Sequence, residues 1–122
     1  MEFTKLTYSI GGYGSNTVDV IIDCAENRID VKEYKFDDET VNSASREITK
    51  LDMLKINKIA KIISKWKDYY DQPGLCDGPE VSISIDDKST YIHSVVSKYY
   101  PKHYKTVVEY FRSSGKFSGI HI

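Results

Sequence analysis

His93, His103, Cys24 and Cys76 are the side chains with the most chemistry to offer. As a set they have the composition of a zinc site. Structural zinc ligands, however, come in close pairs such as C-x2–4-C and H-x3–5-H, and here each stands alone in its own segment. Two imidazoles could remove one proton and deliver another, but no spacing brings His93 and His103 together. Neither cysteine has a basic neighbour in sequence to lower its pKa, and there is no G-x-S-x-G nucleophile elbow. The glycine-rich run from Gly11 to Asn16 lacks the helix and lysine of a phosphate-binding loop, so it reads as a hairpin turn. Asp86 and Asp87 lack the spacing of a calcium loop. No catalytic group, metal or cofactor is expected.

The 122 residues are the length of a single domain, 1–122, and 40% apolar with 29% charged residues suits a globular chain. No apolar run approaches the ~20 residues that cross a bilayer, and the N-terminal residues carry no signal-peptide core. A cytoplasmic location with reduced thiols is the expectation. Net charge is only −1, but it is unevenly spread. Asp19, Asp23, Glu26, Asp30, Glu33, Asp37, Asp38 and Glu39 crowd one segment; Arg46, Lys50, Lys55, Lys58, Lys61, Lys65 and Lys67 crowd the next. Such asymmetry suits a charged partner, or internal pairing between a sheet and its helix. Ten tyrosines add rigid, amphipathic area of the kind used in recognition surfaces and half-buried sheets.

The elements follow from periodicity. Thr4, Leu6, Tyr8 and Ile10 alternate with their neighbours; Val18, Val20 and Ile22 do the same, and a third strand runs from Arg28 to about Phe36. Residues 37–46 are polar and read as a loop. Thr49 and Asp52 resemble a capping box, and Ile56, Ile59, Ile62, Ile63, Trp66, Tyr69 and Tyr70 recur at helical spacing, predicting a helix over 51–70. Val81, Ile83 and Ile85, the turn at Asp86 and Asp87, and residues 90–96 make a second hairpin. Pro101 suits the first turn of a last helix, whose buried stripe is Tyr104, Val107, Val108 and Phe111. Residues 117–122 read as a short strand or a frayed tail. The expected fold is α+β: a single antiparallel sheet in βββ-α-ββ-α order with two helices packed on one face.

From Trp66 to Phe111 the chain resembles a broad group of small uncharacterised bacterial proteins. The shared pattern is Trp66 and Tyr70 at a helix end, Asp77-Gly78, the alternating Val81, Ile83 and Ile85, Tyr100-Pro101, and Val107, Val108 and Phe111. The chain departs from it at Pro79, and at Val81, where a bulkier aromatic is usual. Proteins of this kind include immunity proteins that neutralise toxins of contact-dependent growth inhibition. The resemblance implies a cytoplasmic antitoxin, not an enzyme, that blocks a protein toxin, with a nuclease as the expected target. An acidic surface would then occupy the nuclease's basic cleft, and Asp23, Glu26, Asp37, Asp38 and Glu39 are the candidate partner-binding residues. Two other readings compete. One is a ligand-binding domain or enzyme using the sheet face near His93 and Tyr91. The other is a nucleic-acid module using the Lys58, Lys61 and Lys65 stripe, which the overall charge disfavours.

Overall fold

A computed structural model describes residues 3–11, 16–35, 39–76 and 78–122. Alternating apolar residues build β1 (Lys5–Gly11), β2 (Thr17–Asp23) and β3 (Arg28–Tyr34), followed by β4 (Thr40–Glu47) and α1 (Lys50–Ile63). Next come β5 (Tyr69–Asp71), β6 (Glu80–Ile85), β7 (Lys88–His93) and α2 (Tyr104–Ser114). The strands form one seven-stranded sheet in the order β4-β3-β2-β1-β6-β7-β5. The class is α+β, as expected.

The strand order and the purely antiparallel sheet are corrected. β5 runs parallel to β7, with Tyr69 opposite Tyr91 and Asp71 opposite His93, so the sheet is mixed. β4 occupies part of the segment read as a loop. Its residues are small and polar, and what holds them is the ladder to β3 together with side-chain bonds back to acids. Asn42 Nδ2 donates to Glu33 Oε1 at 2.8 Å, and the Ser45 hydroxyl donates to Asp30.

The first helix is shorter than its apolar spacing suggests. Its start is as expected: Thr49 Oγ1 accepts from Asp52 N at 3.1 Å, and Asp52 Oδ2 accepts from Thr49 N at 2.8 Å, closing the capping box. Its end is at Ile63, where Lys88 Nζ reaches the Ser64 carbonyl at 2.8 Å and places a cation at the negative end of the helix. Trp66 then buries separately, donating from Nε1 to the Lys102 carbonyl at 2.9 Å, and Tyr69 and Tyr70 pass into β5. α2 likewise begins after Pro101, with His103 as a positive-φ N-cap. The chain ends neither as a strand nor as a frayed tail: Lys116–Ser118 is a 3-10 turn, and Ile120 and Ile122 pack on the core.

Strand register separates the two faces of the sheet. Leu6, Tyr8, Val20, Ile22, Ile29, Val31, Ile83 and Ile92 are buried on one face, beneath Ile56, Ile59 and Ile63 of α1 and Val107 and Phe111 of α2. Tyr8 stacks on Phe111 with centroids 5.4 Å apart, while Arg46, on the same face, bonds Asp52 of α1. Both helices therefore cover one face. The opposite face carries the alternate residues and has no layer over it among the described residues. No described helix is long and apolar enough to cross a membrane.

Candidate functional site

The uncovered face is where side chains are free to meet another molecule. Period-2 geometry sends Ser9, Asp19, Lys32 and Ser43 to this face in one cross-strand row, with Ser82, Tyr91 and Tyr69 continuing it across β6, β7 and β5. The next row runs Ser89, Ser84, Thr7, Ile21, Asp30 and Ser45. Polar side chains on this face bond one another. Ser9 Oγ donates to Asp19 Oδ1 at 2.6 Å, Arg28 Nε donates to Asp30 Oδ2 at 2.9 Å, and the Ser84 and Ser89 hydroxyls lie 2.9 Å apart.

The β5 and β7 end of this face is aromatic. Tyr69 and Tyr91 are 72% and 52% exposed, yet their rings stack at 5.7 Å and 18°, each fixing the other. At the next pair on the same face, two residues along, His93 Nδ1 lies 3.1 Å from Asp71 Oδ1. Carboxylates outnumber cations at these open-face positions: Asp19, Asp23, Asp30, Glu47, Asp71 and Glu80 against Lys5, Arg28 and Lys32. A rigid aromatic pair set in an acidic, polar plane is suited to hold a cationic protein surface.

The acids singled out from the sequence do not form one cluster. Asp23 and Glu26 sit at the β2–β3 turn, where Asp23 Oδ1 accepts from the Glu26 amide at 3.1 Å. Glu39 lies just before β4, at the other end of the β3–β4 ladder, 3.8 Å from Lys35 Nζ. The seven-residue strand between them spans roughly 20 Å at about 3.4 Å per residue. Asp37 and Asp38 lie outside the described residues, as do Gly12, Tyr13, Gly14, Ser15 and Asp77.

The helix layer carries the basic side chains. Lys58 and Lys61 line a groove of about 520 Å³ between α1 and α2, with Leu54, His103 and Thr106. Lys65 falls beyond the end of α1, so the expected stripe of lysines is reduced to two on the helix. His103 thus belongs to the helix layer and His93 to the open sheet face, and the two imidazoles do not work together. Cys24 is half-buried and Cys76 exposed, both as free thiols. Burial, with Asp23 and Asp86 nearby, pushes the Cys24 thiol up, away from reactivity. Among the described residues no three potential ligands gather as a metal site. Asp86 instead staples the hairpin: Thr4 N, Thr4 Oγ1 and Lys5 N all donate to its Oδ1 at 2.8–3.0 Å, and these bonds hold its carboxyl below the usual range.

No protein-family model matches the chain, and no curated protein does.

The open-face carboxylates Asp19 and Asp71 and the Tyr69–Tyr91 pair carry the strongest site geometry, whereas Asp30 on the same face is buried and bonded to Arg28 and Ser45; sequence reasoning did not assemble them. Alternation of Ser82 and Ser84 with apolar residues was the signal that one sheet face is polar. The parallel pairing that joins Tyr69 to Tyr91 leaves no local trace.

Proposed function

We propose that the chain is a binding protein of the immunity type, which neutralises a toxic protein by holding a basic surface of it against the open face of the sheet. The observation that carries this reading is that face itself: uncovered, rich in carboxylates, and bearing an exposed, pre-stacked Tyr69–Tyr91 pair. A nuclease suits the role, because a cleft built to attract phosphates is cationic and complements an acidic plane. The resemblance of residues 66–111 to immunity-type proteins points the same way. Asp23 and Glu26 would border one end of the interface and Glu39 the other. The toxin's identity is open to capture with tagged chain, followed by purification of the captured protein. Asp19→Lys, Asp23→Lys and Asp71→Lys should then each weaken binding to that purified protein and reduce its salt dependence. Unchanged affinity across all three would sink the acidic-face reading.

The lysine groove favours a second reading, an anionic ligand such as RNA held by Lys58, Lys61 and His103. Its sign would be RNA affinity that falls steeply with salt and is lost in a Lys58→Glu, Lys61→Glu double variant.

A further inference from the structure

β4 ends the strand order, and among the described residues only β3 pairs with it, so its outer edge carries no further strand; the Glu47 carbonyl at its end accepts from Arg46 Nη1 at 3.0 Å. Sheet proteins usually blunt such edges with short strands, proline or projecting charge. The other edge of this sheet is blunted: β5 is three residues long and Pro73 follows it closely. β4 is eight residues long and runs regularly from Asn42 to Glu47, past the irregularity at Glu33 and Tyr34. Its polar side chains turn inward. Asn42 bonds Glu33, Ser45 bonds Asp30, and Arg46 bonds Asp52, so these side chains reach back into the protein and not out over the edge beside Ser43 and Ser45. Beside the strand, Phe117 is 41% exposed under the Arg46 guanidinium, 5.5 Å from its centroid, an apolar ring at the same margin.

We infer that β4 pairs antiparallel with β4 of a second copy of this chain, about a two-fold axis at Ala44. That register places Ala44 opposite its own counterpart, Ser43 opposite the partner's Ser45, and Asn42 opposite the partner's Arg46. It keeps the covered face aligned with the covered face, because paired residues share a side. It sets no like charges opposite each other, and small side chains at the axis let the backbones close. A self-complementary strand is what an isologous two-fold contact requires. The result is one continuous sheet that carries both open faces on the same side and brings Phe117 of each copy to the helical side of the junction. This pairing does not depend on the toxin-binding reading.

Sedimentation velocity on the full chain over a concentration series tests it. The expected result is a reversible monomer–dimer equilibrium that Ala44→Lys, which faces two ammonium groups across the axis, weakens about ten-fold or more. In a Cys76→Ser background, mild oxidation should cross-link Ala44→Cys into a covalent dimer far more readily than Ser43→Cys, whose counterpart lies diagonally. Circular dichroism checks that each variant folds. A monomer at every concentration overturns the proposal. So does a dimer that Ala44→Lys leaves intact and in which the two cysteine variants cross-link equally.

Discussion

Arg46 grips Asp52 with both ends of its guanidinium, Nη1 at 2.7 Å and Nη2 at 3.1 Å, and so ties the edge strand β4 to the first turn of α1. The same carboxylate closes the Thr49 capping box and accepts from Tyr110 Oη at 3.1 Å on α2. One buried acid therefore joins the sheet edge to both helices. Removing it takes the acceptor from Tyr110, leaves Arg46 only the Ser114 and Glu47 carbonyls, and opens the helix cap. Asp52→Ala is expected to destabilise the fold by about 2 kcal/mol, since a part-exposed ion pair is worth less than a fully buried one. Urea denaturation followed by circular dichroism measures it, and a loss under about 0.5 kcal/mol would show the network to be ornamental.

The Arg46 guanidinium, followed by the Thr49 bonds, holds the Asp52 carboxyl well below the usual carboxylate range. A depressed folded pKa contributes stability that is complete above the unfolded value of roughly 4 and is lost as pH falls through the folded value. Wild type should thus lose stability progressively below about pH 4. Asp52→Asn should be weaker at neutral pH and should lose less on acidification, so the two stability curves converge as pH falls. Glu33, bonded by Asn42 and Asn16, and Asp86, bonded by Thr4 and Lys5, are lowered too and keep some acid sensitivity in the variant. Denaturation midpoints taken between pH 7 and pH 2 would reveal parallel curves if Asp52 does not titrate this way.

Tyr8 makes the opposite case. Its ring is fully buried against Phe111, but among the described residues its hydroxyl has no well-formed hydrogen bond. Burial raises its pKa, and the nearby Arg112 offsets that only in part. A buried hydroxyl without a well-formed bond costs free energy, whereas the aromatic ring stabilises the core. Tyr8→Phe should therefore be neutral or stabilising by about 0.5–1 kcal/mol, while Tyr8→Ala should lose about 3 kcal/mol or more. Thermal melts decide it: a Tyr8→Phe variant that melts well below wild type would mean that the hydroxyl holds an essential bond.

The strands with one buried and one wet face were legible because their environment is written as alternation: Leu6, Tyr8 and Ile10, then Val18, Val20 and Ile22, then Val81, Ile83 and Ile85. Thr49 and Asp52 announced the start of α1 through a local bond. The failures share a physical cause, namely structure decided by distant pairing. Asn42, Ser43 and Ser45 have no apolar period, and β3 makes them a strand. Trp66, Tyr69 and Tyr70 continue a helical spacing that Lys88, from another hairpin, helps to terminate. At the candidate site, nearness in sequence misled. Asp23 and Glu39 belong to one acidic segment but lie at opposite ends of a ladder, whereas Tyr69 and Tyr91 meet through a parallel contact that no local pattern encodes.

That contact supplies the sharpest test of the proposed interface. Both rings are more than half exposed and precede the Asp71–His93 pair on the same face, so they add area and a face for cations at little cost in core packing. Tyr91→Ala should change folding stability by about 1 kcal/mol or less, because Tyr91 leaves only the exposed stack. If the open face holds the partner, the same substitution should weaken binding to the purified captured protein by roughly thirty-fold, the scale of an aromatic anchor. Tyr91→Phe should retain most of the affinity, since the ring provides the contact. Lys58→Ala, on the helical layer, should leave it unchanged. Calorimetric titration of the four proteins separates the outcomes, and a Tyr91→Ala variant that binds like wild type while Lys58→Ala does not would move the interface to the helices.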